Sequence, residues 1–165
     1  MRPTYLTATS LLLLTLAACA GDATPERLHG EALDALSAGE FGLAVERLER
    51  ALEGARGTAL EAELALELAL ARVHTDPAKA QAEFDDLAEE RPEALDEGDY
   101  HELARRLRDA HEAERATEVV HAGLERFGRA DAPRLAELLA RLQQDAEGDA
   151  DLREALVGLG YLTQR

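Results

Sequence analysis

The chain has 165 residues, 34 acidic against 18 basic, and a formal net charge of −16. Hydrophobic residues make up 46%, yet aromatics only 4%; Ile, Asn and Trp are absent, and 17 of the 18 bases are Arg. Ala, Leu, Glu and Arg favour helices while strand formers are scarce, which argues against all-β and α/β folds, and the acidic balance argues against phosphate-backbone binding.

The first segment is built as an address. Met1-Arg2 carries one positive charge, and 14 uncharged residues follow from Tyr5 to Ala18. A spanning helix needs about 20 apolar residues, so this stretch fits a secretory signal peptide over residues 1–18. Its end, Leu16-Ala17-Ala18-Cys19, resembles the lipobox of bacterial lipoproteins. The resemblance implies recognition of Leu16, Ala17 and Ala18 by a signal peptidase, and lipidation of Cys19. Cys19 is the one cysteine of the chain, so it has no intramolecular disulfide partner. Residues 19–24 then form the lipidated Cys and a short tether, and the product of 147 residues carries −17. In Gram-negative lipoproteins, Asp directly after the Cys favours the inner membrane. Ala20 stands there, so the resemblance implies the periplasmic face of the outer membrane.

The remainder, 25–165, repeats. Ala44, Leu48 and Ala51 form an apolar stripe at spacings of four and three, the period of one helix face. Shifts of 36 residues give Ala80, Phe84 and Leu87, then Ala116, Val120 and Gly123, then Leu152, Leu156 and Leu159. The preceding helices keep the same register: Leu28, Ala32 and Ala35; Leu64, Leu68 and Ala71; Tyr100, Ala104 and Leu107, with Leu103 added. A fourth set, Ala136, Ala140 and Gln143, is weaker, and Leu135, Leu138, Leu139 and Leu142 indicate a slip of one residue. Units start near Pro25, Glu61, Glu97 and Pro133. Breakers are expected to separate the stripes: Ala38-Gly39, Gly54, Gly57, Thr75-Asp76-Pro77, Pro92, Gly98, Gly128, Asp131-Ala132-Pro133 and Gly148-Asp149. Eight helices in four antiparallel pairs are expected.

The segment from Gly39 to Glu53 resembles the second half of a tetratricopeptide repeat, with a turn Gly, Phe41 two residues on, and a small-large-small stripe. The resemblance covers about Pro25 to Leu162 and implies an all-α, right-handed α-solenoid. The chain departs from that family in its period of 36 rather than about 34 and in replacing first-helix aromatics mostly by Leu, with only Tyr100 aromatic. In such repeats, first-helix positions 2, 5, 9 and 12 line a concave groove. Carried over, they are Glu26, His29, Leu33 and Leu36; Ala62, Ala65, Ala69 and Arg72; and Gly98, His101, Arg105 and Arg108. Arg72, His101, Arg105 and Arg108 would form a basic patch suited to an acidic peptide or a terminal carboxylate, unless neighbouring carboxylates neutralise them. The residues of the chaperone-tail carboxylate clamp are absent.

Little in the chain points to catalysis. There is no Gly-x-Ser-x-Gly, phosphate loop or His-Glu-x-x-His, and Ser is limited to Ser10 and Ser37. Adjacent acids such as Asp85-Asp86 and Glu89-Glu90 point apart on a helix and read as a solvated face. His111, Glu114, Glu118 and His121, at spacings of three, four and three, form an exposed stripe that is the alternative metal or enzymatic site. The expectation is therefore a membrane-anchored envelope scaffold or adaptor that binds an envelope protein or peptide, with no enzyme activity, cofactor, metal or nucleic acid. A permanent structural subunit of an envelope complex is a further alternative.

Overall fold

Among residues 23–163, which the computed structural model describes, there are eight α-helices and no strand. The signal segment, Leu16, Ala17, Ala18 and Cys19 lie outside the described residues. The helices are α1 Pro25–Ser37, α2 Phe41–Gly54, α3 Glu61–Arg72, α4 Pro77–Glu90, α5 Glu97–Asp109, α6 Ala113–Phe127, α7 Pro133–Asp145 and α8 Ala150–Gly158. A short 3-10 turn, Pro92–Ala94, precedes α5. The odd helices α1, α3, α5 and α7 begin 36 residues apart. No helix among the described residues is long and apolar enough to cross a membrane.

Local chemistry starts several of these helices. Thr24 Oγ1 accepts from Arg27 N and Asp76 Oδ1 from Lys79 N, each directly before a proline at the first helical position. Asp96 and Asp99 cap α5 reciprocally: Asp96 Oδ1 accepts from Gly98 N and Asp99 N, while Asp96 N donates to Asp99 Oδ2 at 2.8 Å. Asp149 caps α8 through Asp151 N and Leu152 N. Gly39, at φ +74°, closes α1 in the left-handed conformation that a residue without a Cβ adopts freely.

The apolar stripes are the buried faces, except that Leu159 of the last stripe lies past the end of α8 and is only half-buried. Ala44, Leu48 and Ala51 are sealed on α2, Ala80, Phe84 and Leu87 on α4, and Ala116, Val120 and Gly123 on α6. On α7 the buried set is Leu135, Leu138, Leu139 and Leu142, while Ala140 is exposed, so the register slips there by one residue. Each buried set makes two kinds of neighbour. Within the chain order, α1 packs on α2, α2 on α3, α3 on α4, α5 on α6, α6 on α7 and α7 on α8. Across it, α3 meets α5, α5 meets α7, α4 meets α6 and α6 meets α8.

The apolar interior forms two clusters. The smaller unites Leu28 and Ala32 of α1, Leu48 and Ala51 of α2, and Leu64, Leu68 and Ala71 of α3. The larger begins at Ala69 of α3 and runs to Leu156 of α8. Within it Phe84 meets Tyr100 edge-on at a centroid distance of 4.8 Å, and the partly buried Phe127 does so from its margin at 5.6 Å.

Small residues set the approach of the backbones. A Cβ on Gly123 would lie 2.5 Å from Leu135 Cδ1 and 3.2 Å from Tyr100 Cβ, so a side chain there requires the Leu135 tip to move and Tyr100 to give way. Gly30 of α1 meets nothing within 4 Å. Gly123→Ala should therefore lose about 1–2 kcal/mol in urea unfolding, overpacking outweighing the gain in helix preference. Gly30→Ala should gain up to about 1 kcal/mol in the same measurement.

Candidate functional site

The seven groove residues expected from sequence separate into three places. His101, Arg105 and Arg108 stay together. Spaced four and three apart on one face of α5, they line a cleft of about 320 Å³ with Arg134, Glu137, Leu138 and Arg141 of α7. Four guanidiniums and one carboxylate thus face a common space in a chain whose net charge is −16.

His29, Leu33, Leu36 and Arg72 do not join them. Leu36 packs against the smaller core, and Leu33 is exposed on α1. A 2.5 Å hydrogen bond joins His29 Nε2 to Glu67 Oε2 of α3, with Glu63 one turn earlier on that helix. Arg72 corrects the expectation most clearly, because it is only 2% exposed. Its two terminal nitrogens each donate at 2.5 Å, one to Glu83 of α4 and the other to Glu49 of α2, so it ties three helices together instead of facing a ligand. Burial raises the Glu83 carboxyl above its ordinary value despite the pull of Arg72 and Lys79. Of the unit-two groove positions, Ala62 and Ala65 line a separate hollow of about 270 Å³ with Leu52, Leu68 and Leu87, and Ala69 is fully buried.

Within the α5–α7 cleft, the free basic patch expected from sequence is partly neutralised. Arg105 donates to Glu102 and Asp109 on its own helix, and Arg108 Nε donates at 2.9 Å to Asp145 of α7. Arg141 pairs with Glu137 at 2.5 Å. Among the described residues, no carboxylate lies within ion-pairing distance of Arg134. These pairs are half exposed, where an ion pair contributes at most about 1 kcal/mol. Arg134 and Arg141 belong to unit four, beyond the three units whose groove positions the resemblance supplies. Moving Gly98 and Arg105 forward by the same 36 residues lands on them.

The alternative metal stripe does not form. His111 lies outside α6, at φ +65° in the turn after α5. There Glu112 N bonds Leu107 O, as Glu40 N bonds Ala35 O around Gly39. His111 is thus the turn counterpart of Gly39 and leaves the face that carries Glu114 and Glu118. Glu118 instead accepts from Gln81 of α4, and His121 Nδ1 is joined to the Tyr161 hydroxyl at 2.9 Å. The left-handed conformation costs a side chain about 1–2 kcal/mol. His111→Gly should therefore raise the unfolding temperature, with a gain of about 0.5–1 kcal/mol.

One carboxylate beside the cleft makes stability depend on pH. Hydrogen bonds from Arg105, reinforced by Arg106 and opposed by burial, hold Glu102 down at about 2, against an ordinary value of 4.5. Arg106 also reaches the Leu70 carbonyl of α3, so the same network ties α5 to its neighbour. A depressed carboxylate stabilises the fold above its unfolded value and loses that contribution as the pH falls through the folded one. Between pH 5 and 2, wild type should lose about 1 kcal/mol more than Glu102→Gln, read by denaturant titration at each pH, after allowing for solvent screening of this part-exposed pair. No family model, curated protein or solved structure matches the chain.

Proposed function

We propose that the chain is a lipid-anchored envelope scaffold, a tetratricopeptide-like right-handed α-solenoid that holds an acidic partner segment in the α5–α7 cleft. The repeat reading rests on helix starts 36 residues apart and on side-chain bonds between units at nearly the same separation. His29–Glu67, Arg106–Leu70 and Arg108–Asp145 join odd helices at 38, 36 and 37 residues, and Gln81–Glu118 joins even helices at 37. The anchor rests on the resemblance of Leu16 to Cys19 to a lipobox. Palmitate incorporation into wild type and its loss in Cys19→Ser test it separately.

The observation that carries the binding reading is the convergence of Arg105, Arg108, Arg134 and Arg141 on one cleft. Guanidinium groups meet carboxylates in paired hydrogen bonds, and the cleft offers such donors on two facing helices. The partner is an acidic segment or a terminal carboxylate of another envelope protein. Binding needs no bond chemistry; the mechanism is presentation of a preformed surface. The surrounding negative charge would reject acidic partners that approach elsewhere.

Fluorescence anisotropy with an Asp/Glu-rich peptide ending in a free carboxylate tests this reading. Arg134→Glu with Arg141→Glu should weaken binding by at least about tenfold, the scale of one lost charged hydrogen bond. Binding should also weaken as salt rises. Unchanged affinity in the double variant would overturn the assignment.

A further inference from the structure

His29, Glu63 and Glu67 form a second constellation that the proposed binding activity does not use. One ligand atom from each of the three lies within 4.8 Å of the others. The group is contributed by two helices, not by one acidic run: His29 stands on α1, and Glu63 and Glu67 stand four residues apart on α3. The backbone beneath each is fixed by the smaller core. Leu28 precedes His29 and is 4% exposed, while Leu64 and Leu68 directly follow the two glutamates and are 0 and 4% exposed. His29 and Glu67 are themselves partly screened from water, with side chains 16 and 27% exposed, and Glu63 forms the open side.

We propose that this constellation is a binding site for one divalent transition-metal ion of the zinc class. Metal–nitrogen and metal–oxygen bonds of about 2.0–2.2 Å require donor atoms about 3–3.5 Å apart. The cluster reaches that by opening the His29–Glu67 hydrogen bond slightly and drawing Glu63 inward by rotation of its exposed side chain. His29 Nε2 supplies the imidazole ligand. The two carboxylates neutralise the charge of the ion, and water completes a tetrahedral set on the solvent side. The mixed donor set decides between ions. Imidazole suits zinc and its neighbours, whereas magnesium and calcium prefer oxygen ligands throughout. The net charge of −16 further raises the local concentration of cations. An ion held here joins α1 to α3 and clamps the first helical pair onto the second, so occupancy raises stability by mass action.

Isothermal titration of the untagged full-length chain with Zn²⁺, beside Mg²⁺ and Ca²⁺, tests the site. The expected result is one equivalent of zinc bound with micromolar affinity. Unfolding temperature should rise by roughly 5–10 °C at a hundredfold excess over Kd. Affinity should fall by at least about tenfold in His29→Ala and in Glu63→Gln, the loss already seen when a group that merely orients a metal ligand is removed. Glu63 is exposed, so that variant keeps its fold even if His29→Ala does not. Arg134→Glu with Arg141→Glu should leave zinc binding unchanged, which separates this site from the α5–α7 cleft. Zinc affinity retained in both His29→Ala and Glu63→Gln would overturn the proposal. So would magnesium binding as tight as zinc, or many weak equivalents in place of one, since each marks diffuse attraction to surface acids.

Discussion

The structure depends on α3 being buried on two sides at once. Leu64, Leu68 and Ala71 close the smaller core with α1 and α2, while Ala69 opens the larger core that continues to α8. A helix with one apolar stripe cannot serve both, and Glu-Ala-Glu-Leu-Ala-Leu-Glu-Leu-Ala-Leu-Ala-Arg spreads Ala and Leu around most of its circumference. Burial of each Leu contributes about 1.5–3 kcal/mol. The buried Arg72 at its end, by contrast, gains little net stability from two glutamates once desolvation is counted. The leucines hold the joint, and Arg72 links α2 and α4 to it through Glu49 and Glu83.

Much of the fold was legible because two signals coincide in the chain. Apolar residues recur with the helical period inside each element, and breakers such as Gly39 and Asp76-Pro77 stand between them. The slip on α7 was visible as competing stripes, because Leu135, Leu138, Leu139 and Leu142 outweigh Ala136 and Ala140 in apolar surface. Arg72 was not legible as a core residue. Its burial depends on Glu49 and Glu83 arriving from two other helices, 23 residues before it and 11 residues after it. His111 misled for a different reason. Spacing alone placed it on a helix face, but the backbone is already turning there, and only the comparison with Gly39 reveals it. In the cleft, the α5 half was legible from the register, and the α7 half required carrying the same arithmetic one unit further.

Charge in this protein is a matter of distribution more than of total. With 34 acids to 18 bases in the chain, nine of the fifteen described arginines pair with a carboxylate. Arg27 with Glu31 and Arg105 with Asp109 are ordinary pairs along one helix. Others bridge elements: Arg91 meets Glu61, and Arg126 reaches the Pro92 carbonyl. A surface this acidic leaves few places where positive charge gathers, and the facing sides of α5 and α7 stand out for that reason. The same excess leaves Glu63 and Glu67 of α3 beside His29 without an arginine partner among the described residues.

The division of the interior has a consequence for how the molecule opens. The smaller cluster holds eight buried apolar residues and the larger twenty-two, and they meet in α3. Separating α1 and α2 from the rest exposes the smaller set and breaks the Arg72–Glu49 pair but leaves the larger set closed, so this pair is a cooperative unit of lower free energy than the whole. Amide protons in α1 and α2 then exchange with solvent through excursions that leave α5 to α7 intact. A tension applied at the N-terminal end meets this weaker unit first. The first helical pair therefore acts as a mechanical fuse between any tether and the arginine-lined cleft.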